Sequence, residues 1–261
     1  MRILEKVKLV LSATENERER VNEQIRRYLE KINKRKSPYL IVSSYIEDEI
    51  AEKEEPTEDL TVQEKTNAIA FLNKRLSQIN NTEEKVAMIC NYTYAYVREN
   101  VHPSKINSFT KILIKRVLEQ IKVQVSANPP SSLGYSLFLI FLSKQFPNII
   151  KAYKRTIFTS VLSLDYVLGM YRVYFVILKE TKNLEEAWAF GVELANYVEN
   201  TENTFNPCVL HVFLEVLNET MRRAYKNAWH SVEKCILTQY LPVLSSSFSK
   251  DTYCIRKILT S

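Results

Sequence analysis

From residue 62 onward the apolar positions recur every three to four residues, the period of a helix buried along one face. Ile69, Leu72, Leu76 and Ile79 line one face of a helix over roughly 62–79. Asn81-Thr82-Glu83-Glu84 has the form of a capping box, the Asn81 oxygen accepting a first-turn amide and Glu84 reaching back, and Val86, Ile89, Cys90 and Val97 then face inward. A helix near 106–126 carries Ile106, Phe109, Leu113, Val117, Ile121 and Val125 on a slowly drifting stripe, and Asn128-Pro129-Pro130 ends it. Leu133 to Phe146 is almost wholly apolar and is expected to be the most buried helix; it is too long for a strand and no hairpin turn bounds it. Pro147 is expected in the first turn of the next helix, where a missing N–H costs nothing.

The same period continues to the end of the chain. A helix over 163–179 buries Val167, Leu168, Tyr171, Tyr174 and Leu178, with Gly169 expected at a close helix–helix contact. Asn183-Leu184-Glu185-Glu186 is a second capping box. Asn206-Pro207 opens a long amphipathic run through Leu210, Phe213, Leu217, Met221 and Ala224. A helix from Trp229 to Tyr240 is broken by Pro242, Ser245-Ser246-Ser247 reads as a loop, and a terminal helix carries Ile255, Ile258 and Leu259. Short connections between so many helices predict an all-α fold of stacked antiparallel helix pairs over 60–261, without an exact repeat.

Ahead of that domain the pattern changes. Residues 1–36 read as a charged helical arm with a thin seam of Val21, Ile25, Tyr28 and Ile32, stopped by Lys34-Arg35-Lys36 and Ser37-Pro38. Residues 37–59 are a linker or docked segment: Tyr39 to Ile46 is apolar, and Glu47 to Asp59 is an acidic run expected to be solvated.

Composition narrows the choice further. Only three glycines occur in 261 residues, which disfavours α/β folds that spend glycine at strand-to-helix turns. The net charge of +6 is uneven: residues 1–36 hold 11 basic and 6 acidic side chains, residues 37–59 hold 1 basic and 8 acidic, and the remainder is strongly basic. That balance suits an acidic partner, or simply solubility. Cys90, Cys208, Cys235 and Cys254 have no C-x-x-C spacing and read as small buried hydrophobes. Nowhere do 18 apolar residues follow one another, so no membrane insertion is expected.

Catalytic chemistry has little to build on. The histidines are His102, His211 and His230; no H-E-x-x-H, G-x-S-x-G or Walker A pattern exists, and His211 reads as a partly buried spacer. The chain is expected not to be an enzyme. The positive features are cationic. Lys111, Lys115 and Lys122 share a helix face at spacings of four and seven, beside Lys105 and Arg116. Lys151, Lys154 and Arg155 make a second cluster, and Arg222, Arg223 and Lys226 a third. Each cluster alone is the ordinary wet face of a helix; merged, the three would focus an anion-attracting field.

Several segments in register resemble the carboxy-terminal domain of the Gle1 family of nuclear-pore mRNA export factors. Val167-Leu168-Gly169-Met170-Tyr171-Arg172-Val173-Tyr174 stands for the family's Met-Ser-Gly-Met-x-Arg-Leu-Tyr-Ala-Ala, and Trp188-Ala189-Phe190 through Asn196 for Trp-x-Trp-Leu-Ala-x-x-Leu-Asn. Val209-Leu210-His211-Val212-Phe213-Leu214-Glu215-Val216 is similar to Leu-Leu-x-x-Phe-Leu-Glu-Val, followed by Tyr225, by Trp229 at an aromatic position and by Tyr240-Leu241-Pro242. Upstream, Val117-Leu118-Glu119-Gln120 with Val125 resembles the end of a lysine-rich helix, so the likeness covers about 105–261.

The resemblance implies a HEAT-like, MIF4G-like helical domain in a compact, divergent member. It implies binding and stimulation of a Dbp5-like DEAD-box RNA helicase at the cytoplasmic face of the nuclear pore complex. Inositol hexakisphosphate would bridge the two proteins, a Nup42-like nucleoporin of the FG class would dock on the domain, and RNA would be engaged indirectly. Arg116, Lys115, Lys151, Lys154 and Arg155 are the implied inositol-phosphate residues; Lys111, Lys122, Arg222, Arg223 and Lys226 the implied partner surface; Gly169, Trp188, Phe213, Tyr225 and Trp229 the implied structural positions. Departures bear on the ligand. Leu133-Gly134-Tyr135 replaces Ala-Phe-Pro, Lys122 and Gln124 replace acidic residues, and Thr159-Ser160 stands where the family has Lys-Lys. Either Lys151, Lys154 and Arg155 substitute from upstream or the ligand is lost. Direct RNA binding, and a structural scaffold of the pore or of an initiation complex, are the alternative readings.

Overall fold

The computed structural model describes residues 58–159, 164–196, 206–244 and 248–261. The amino-terminal arm, most of the 37–59 segment and the Ser245–Ser247 loop lie outside the described residues.

Ten α-helices and no strand occur among the described residues, as the 3.6-residue period requires. They are α1 (Val62–Leu76), α2 (Glu83–Asn100), α3 (Ile106–Ala127), α4 (Ser132–Leu142), α5 (Ile149–Thr159), α6 (Leu164–Glu180), α7 (Leu184–Asn196), α8 (Asn206–Tyr225), α9 (Asn227–Cys235) and α10 (Ser249–Thr260). Packing skips a neighbour: α1 lies chiefly on α3, α2 on α4, α4 on α6, α6 on α8, and α8 on α10. Helices two apart in sequence therefore stack in layers, the arrangement of a helical-repeat domain and not of a simple bundle. The helix α6 is the hub, touching α3, α4, α5, α7 and α8.

That position corrects the expectation for burial. Val173 through Leu178 of α6 are all buried, whereas Leu137, Ile140 and Phe141 of α4 are only half-buried. Helix α4 packs on α2, α3, α5 and α6, yet its uninterrupted apolar run exceeds what they cover. Helix α1 ends at Leu76, three residues early, and buries Ala68 where Ile69 was expected. Pro147 precedes α5 by two residues instead of opening it. The helix read over 229–240 is split: α9 passes into a π-helical turn at Ile236–Tyr240 and a 3-10 turn at Leu241–Val243. Ala224 is exposed, so the buried stripe of α8 ends at Met221.

Both expected capping boxes are rewired. Thr82 is the N-cap of α2 and makes no side-chain cap bond, while the Asn81 oxygen accepts from the Gly134 amide of α4 at 3.1 Å. The true box is Thr61–Glu64 at the start of α1, where each side chain serves the other's backbone amide. At α7 the Asn183 oxygen does accept from the Glu186 amide, at 3.4 Å, but Glu186 turns inward. Its carboxylate receives the Tyr174 hydroxyl at 2.5 Å, the Asn183 side-chain amide at 2.6 Å and the Lys154 ammonium at 2.6 Å.

The aromatic residues singled out by resemblance meet in one cluster. Trp188 packs on Tyr225 and Trp229, and Phe213 on Phe175, Phe190 and Trp229. The Trp229 indole N–H donates to Asn218 Oδ1 at 2.8 Å and the Tyr225 hydroxyl to the Leu184 carbonyl at 3.0 Å, so the buried indole and the half-buried phenol leave no orphaned donor. Gly191 makes room for this cluster: a Cβ there would lie 2.7 Å from the Phe213 ring and 3.0 Å from Trp229. Gly169 is a close contact as expected, its would-be Cβ 3.2 Å from the Ile121 side chain of α3.

Candidate interaction surface

The buried stripe of α3 faces α1 and α6, which leaves Lys111, Lys115 and Lys122 exposed on the opposite side. The helix holds four cations and a single carboxylate, Glu119. Glu119 is bonded to Arg116, which is half-buried against its own helix. The Lys122 ammonium sits over the Tyr166 ring of α6, 5.5 Å from its centroid. Val123 beside it is 63% exposed.

Helix α5 packs on α3 and brings Lys151 and Arg155, both half-buried, to the neighbouring layer. Lys154 does not join them. It is 7% exposed and inside, its ammonium on Glu186 of α7. Spacing along α5 left its direction undetermined, and the inward Glu186 decides it. The reading of Lys154 as an inositol-phosphate ligand is corrected accordingly: this cation is neutralised within the fold.

The third cluster stands apart. Helices α3 and α8 share α6 as a packing partner, and the Arg222 group lies at the far end of α8. Arg222 is a tie within the fold: its Nε donates to Glu233 of α9 at 2.6 Å and its Nη2 to the Leu259 carbonyl of α10 at 3.2 Å. Its guanidinium is committed to these ties, with the side chain 30% exposed. Arg223 is exposed, 3.7 Å from Glu219, and Lys226 is exposed at the α8–α9 junction with φ 45°. The α3 and α5 cations thus lie on two packed helices, while Arg223 and Lys226 lie at the end of α8.

Other polar side chains also meet among the described residues. No three of the His, Cys, Asp and Glu side chains there are grouped so that they could hold a metal ion. A polar cluster joins α8 to α10: the His211 Nδ1 and the Cys208 thiol lie 3.0 Å and 3.3 Å from the two oxygens of Asp251. Burial, then the Asp251 carboxylate, push the Cys208 thiol up to about 12, which keeps it protonated and non-nucleophilic at neutral pH. Burial raises the Asp251 carboxyl, but the His211 and Cys208 bonds outweigh that and hold it below its ordinary value. His211 is therefore a partner of Asp251 and not a spacer. His102 accepts from the Ser104 amide in the turn ahead of α3, and His230 is exposed near Glu233. Val192, Ala195, Ser231, Val232 and Cys235 line a small cleft between α7 and α9 with one hydroxyl and one thiol as its polar groups. No described helix is long and apolar enough to cross a membrane.

No family model matches the chain, and no curated protein does. Solved structures do match, among them two of the same kind of complex. One is described as the S. cerevisiae Dbp5 L327V C-terminal domain bound to Gle1 and IP6, at 14% identity and a TM-score of 0.60, covering 75% of this chain and 81% of that one. The other carries Gle1 H337R in the same complex, at 14% identity and a TM-score of 0.61, covering 83% of this chain and 90% of that one. At that identity the likeness concerns the fold alone.

Proposed function

We propose that the chain is a non-catalytic helical scaffold that binds a DEAD-box RNA helicase through the cationic face of α3 and stimulates it during mRNA export at the nuclear pore. The observation that carries this reading is a solvent face with three lysines and no unpaired carboxylate, on a fold like that found in complexes named for Dbp5, Gle1 and IP6. We infer that the helical member of those complexes, Gle1, is the counterpart. A helicase core of the RecA kind is built on a β-sheet, and this chain has no strand among its described residues. The resemblance of the segments around Gly169, Trp188 and Phe213 points the same way.

Stimulation in this reading is a difference in affinity for two helicase states. A scaffold that holds the open, product-releasing arrangement more tightly raises turnover without touching ATP. Inositol hexakisphosphate, if it bridges, has Lys115 and Arg116 of α3 and Lys151 and Arg155 of α5 to meet, with Lys154 removed from the set.

The test is a titration into the same organism's pore-associated DEAD-box helicase, with and without inositol hexakisphosphate, following RNA-stimulated ATP hydrolysis. A rise in rate that K115E/K122E removes is the expected result. An unchanged rate at micromolar protein sinks the proposal. Salt-steep binding of single-stranded RNA without helicase would support direct RNA binding in its place.

A further inference from the structure

The folded domain begins by fastening the end of the acidic segment to the helix that carries the lysines. The Glu58 amide donates to the Ser104 carbonyl at 3.3 Å, and the Ser104 hydroxyl donates to the Glu58 carboxylate at 2.7 Å. One turn on, the Ser108 hydroxyl donates to Asp59 at 3.0 Å while its oxygen accepts the Leu60 amide at 3.3 Å. Lys65 adds a pair with Asp59, and Lys105, at the cap of α3, pairs with Glu64 at 3.0 Å. The chain thus enters the domain along the first turn of α3, not at a remote corner.

The register of that fastening matters. Ser108, Lys111, Lys115 and Lys122 fall within about 60° of one another on a helical wheel, so the anchor and the lysines lie on one stripe. Residues 47–57, just ahead of the anchor, hold Glu47, Asp48, Glu49, Glu52, Glu54 and Glu55 against a single Lys53. Fully extended they reach roughly 36 Å, and the rise from Ser108 to Lys122 is only about 21 Å.

We propose that the acidic segment 47–57 is the resident occupant of the α3 face, laid along Lys115 and Lys122 and displaced by an acidic partner. The proposal rests on the reading of that face as the docking surface. Tethering at Ser104 and Ser108 makes the contact intramolecular, so weak charge pairs suffice to occupy the face at any protein concentration. An incoming acidic surface then has to exchange with the segment, which filters out sparsely charged competitors. The same segment would leave the face when a multivalent anion binds it.

A double-mutant cycle on the full chain tests this, read by anisotropy of a fluorescent oligoglutamate peptide. One change neutralises the segment (E47Q/D48N/E49Q/E52Q/E54Q/E55Q) and the other reverses the face (K115E/K122E). If the segment occupies the face, reversal weakens peptide binding roughly tenfold or more in the neutralised chain and less than about twofold in the native one. An equal effect of K115E/K122E in both backgrounds overturns the proposal, because net charge alone then explains the data. Carbodiimide coupling gives a second readout. Cross-links from the 47–55 carboxylates to Lys115 or Lys122, formed within single chains, are expected, and their absence overturns the proposal too. Failure to stimulate a helicase would end the proposed function and leave this cycle standing; additivity in the cycle would end the regulation and leave stimulation standing.

Discussion

Removing the Lys154 ammonium should be among the most damaging single changes in the domain. Its side chain is 9% exposed and that of Glu186 2%, with 2.6 Å between the charged atoms. Lys154→Met leaves the Glu186 carboxylate with the Tyr174 hydroxyl and the Asn183 amide but no countercharge. Stranding one member of a buried pair costs about 3–5 kcal/mol, because the charge has lost its water and now its partner. For a domain of this size that corresponds to a fall in Tm of roughly 6–20 °C. Glu186→Gln removes the carboxylate that receives the ammonium and should also destabilise the fold. The double variant K154M/E186L removes both charges and should recover most of the loss, giving a coupling on the order of 2 kcal/mol or more. Urea unfolding followed by circular dichroism supplies each free energy. A Lys154→Met chain within about 0.5 kcal/mol of the native one would refute the placement of this pair, as would a double variant no better than the sum of the singles.

Other expectations follow from single sites. Alanine at the three glycines should destabilise in the order Gly134, Gly191, Gly169: a Cβ at Gly134 would lie 2.3 Å from the Asn80 carbonyl oxygen, which is backbone and cannot yield, against 2.7 Å from a ring at Gly191 and 3.2 Å from a methyl at Gly169. Thermal melts of the three variants give the order, and a Gly169 variant as unstable as Gly134→Ala would break it. The Thr61 amide, then the Lys105 ammonium, lower the Glu64 carboxyl from 4.5 to about 2. Because the folded value is depressed, its contribution is present above the ordinary value and is lost as pH falls through about 2; a carboxyl-carbon NMR titration with a midpoint near 4.5 would contradict the box. Iodoacetamide at pH 8 should label the half-buried Cys235 and Cys254 before Cys90 and Cys208, the last two buried and pushed up to about 12; comparable rates by mass spectrometry would place those thiols at the surface.

Helical period was legible from sequence because each helix of a layered fold keeps one apolar stripe. Val86, Ile89, Cys90 and Val97 of α2, and Phe109 through Val125 of α3, are buried as their spacing requires. What spacing does not carry is how many sides of a helix are covered. Helix α6 looks ordinary in composition yet is enclosed by five others, while the greasier α4 is not. Local boxes misled for a related reason. Asn81 and Glu186 have the right letters for caps, but the Gly134 amide and the Lys154 ammonium, distant in sequence, outbid the local backbone for them.

The same competition decides which cations can serve a partner. A lysine or arginine on a helix is surface only if no carboxylate from another layer claims it, and that information lies in tertiary contacts. Glu186 claims Lys154, and Glu233 claims Arg222 with help from the Leu259 carbonyl. Lys115 and Lys122 escape because the only acid on α3, Glu119, is held by Arg116. Neutralising Glu119 should then act on the face at a distance of one turn. Glu119→Gln frees the Arg116 guanidinium and raises the helix charge by one, so binding of any acidic partner should strengthen severalfold at low salt and converge with the native chain near 1 M salt, where screening falls to about 3 Å. An effect that persists at high salt would mean that Glu119 shapes the face by contact, not by field, and the electrostatic account of α3 would have to be replaced.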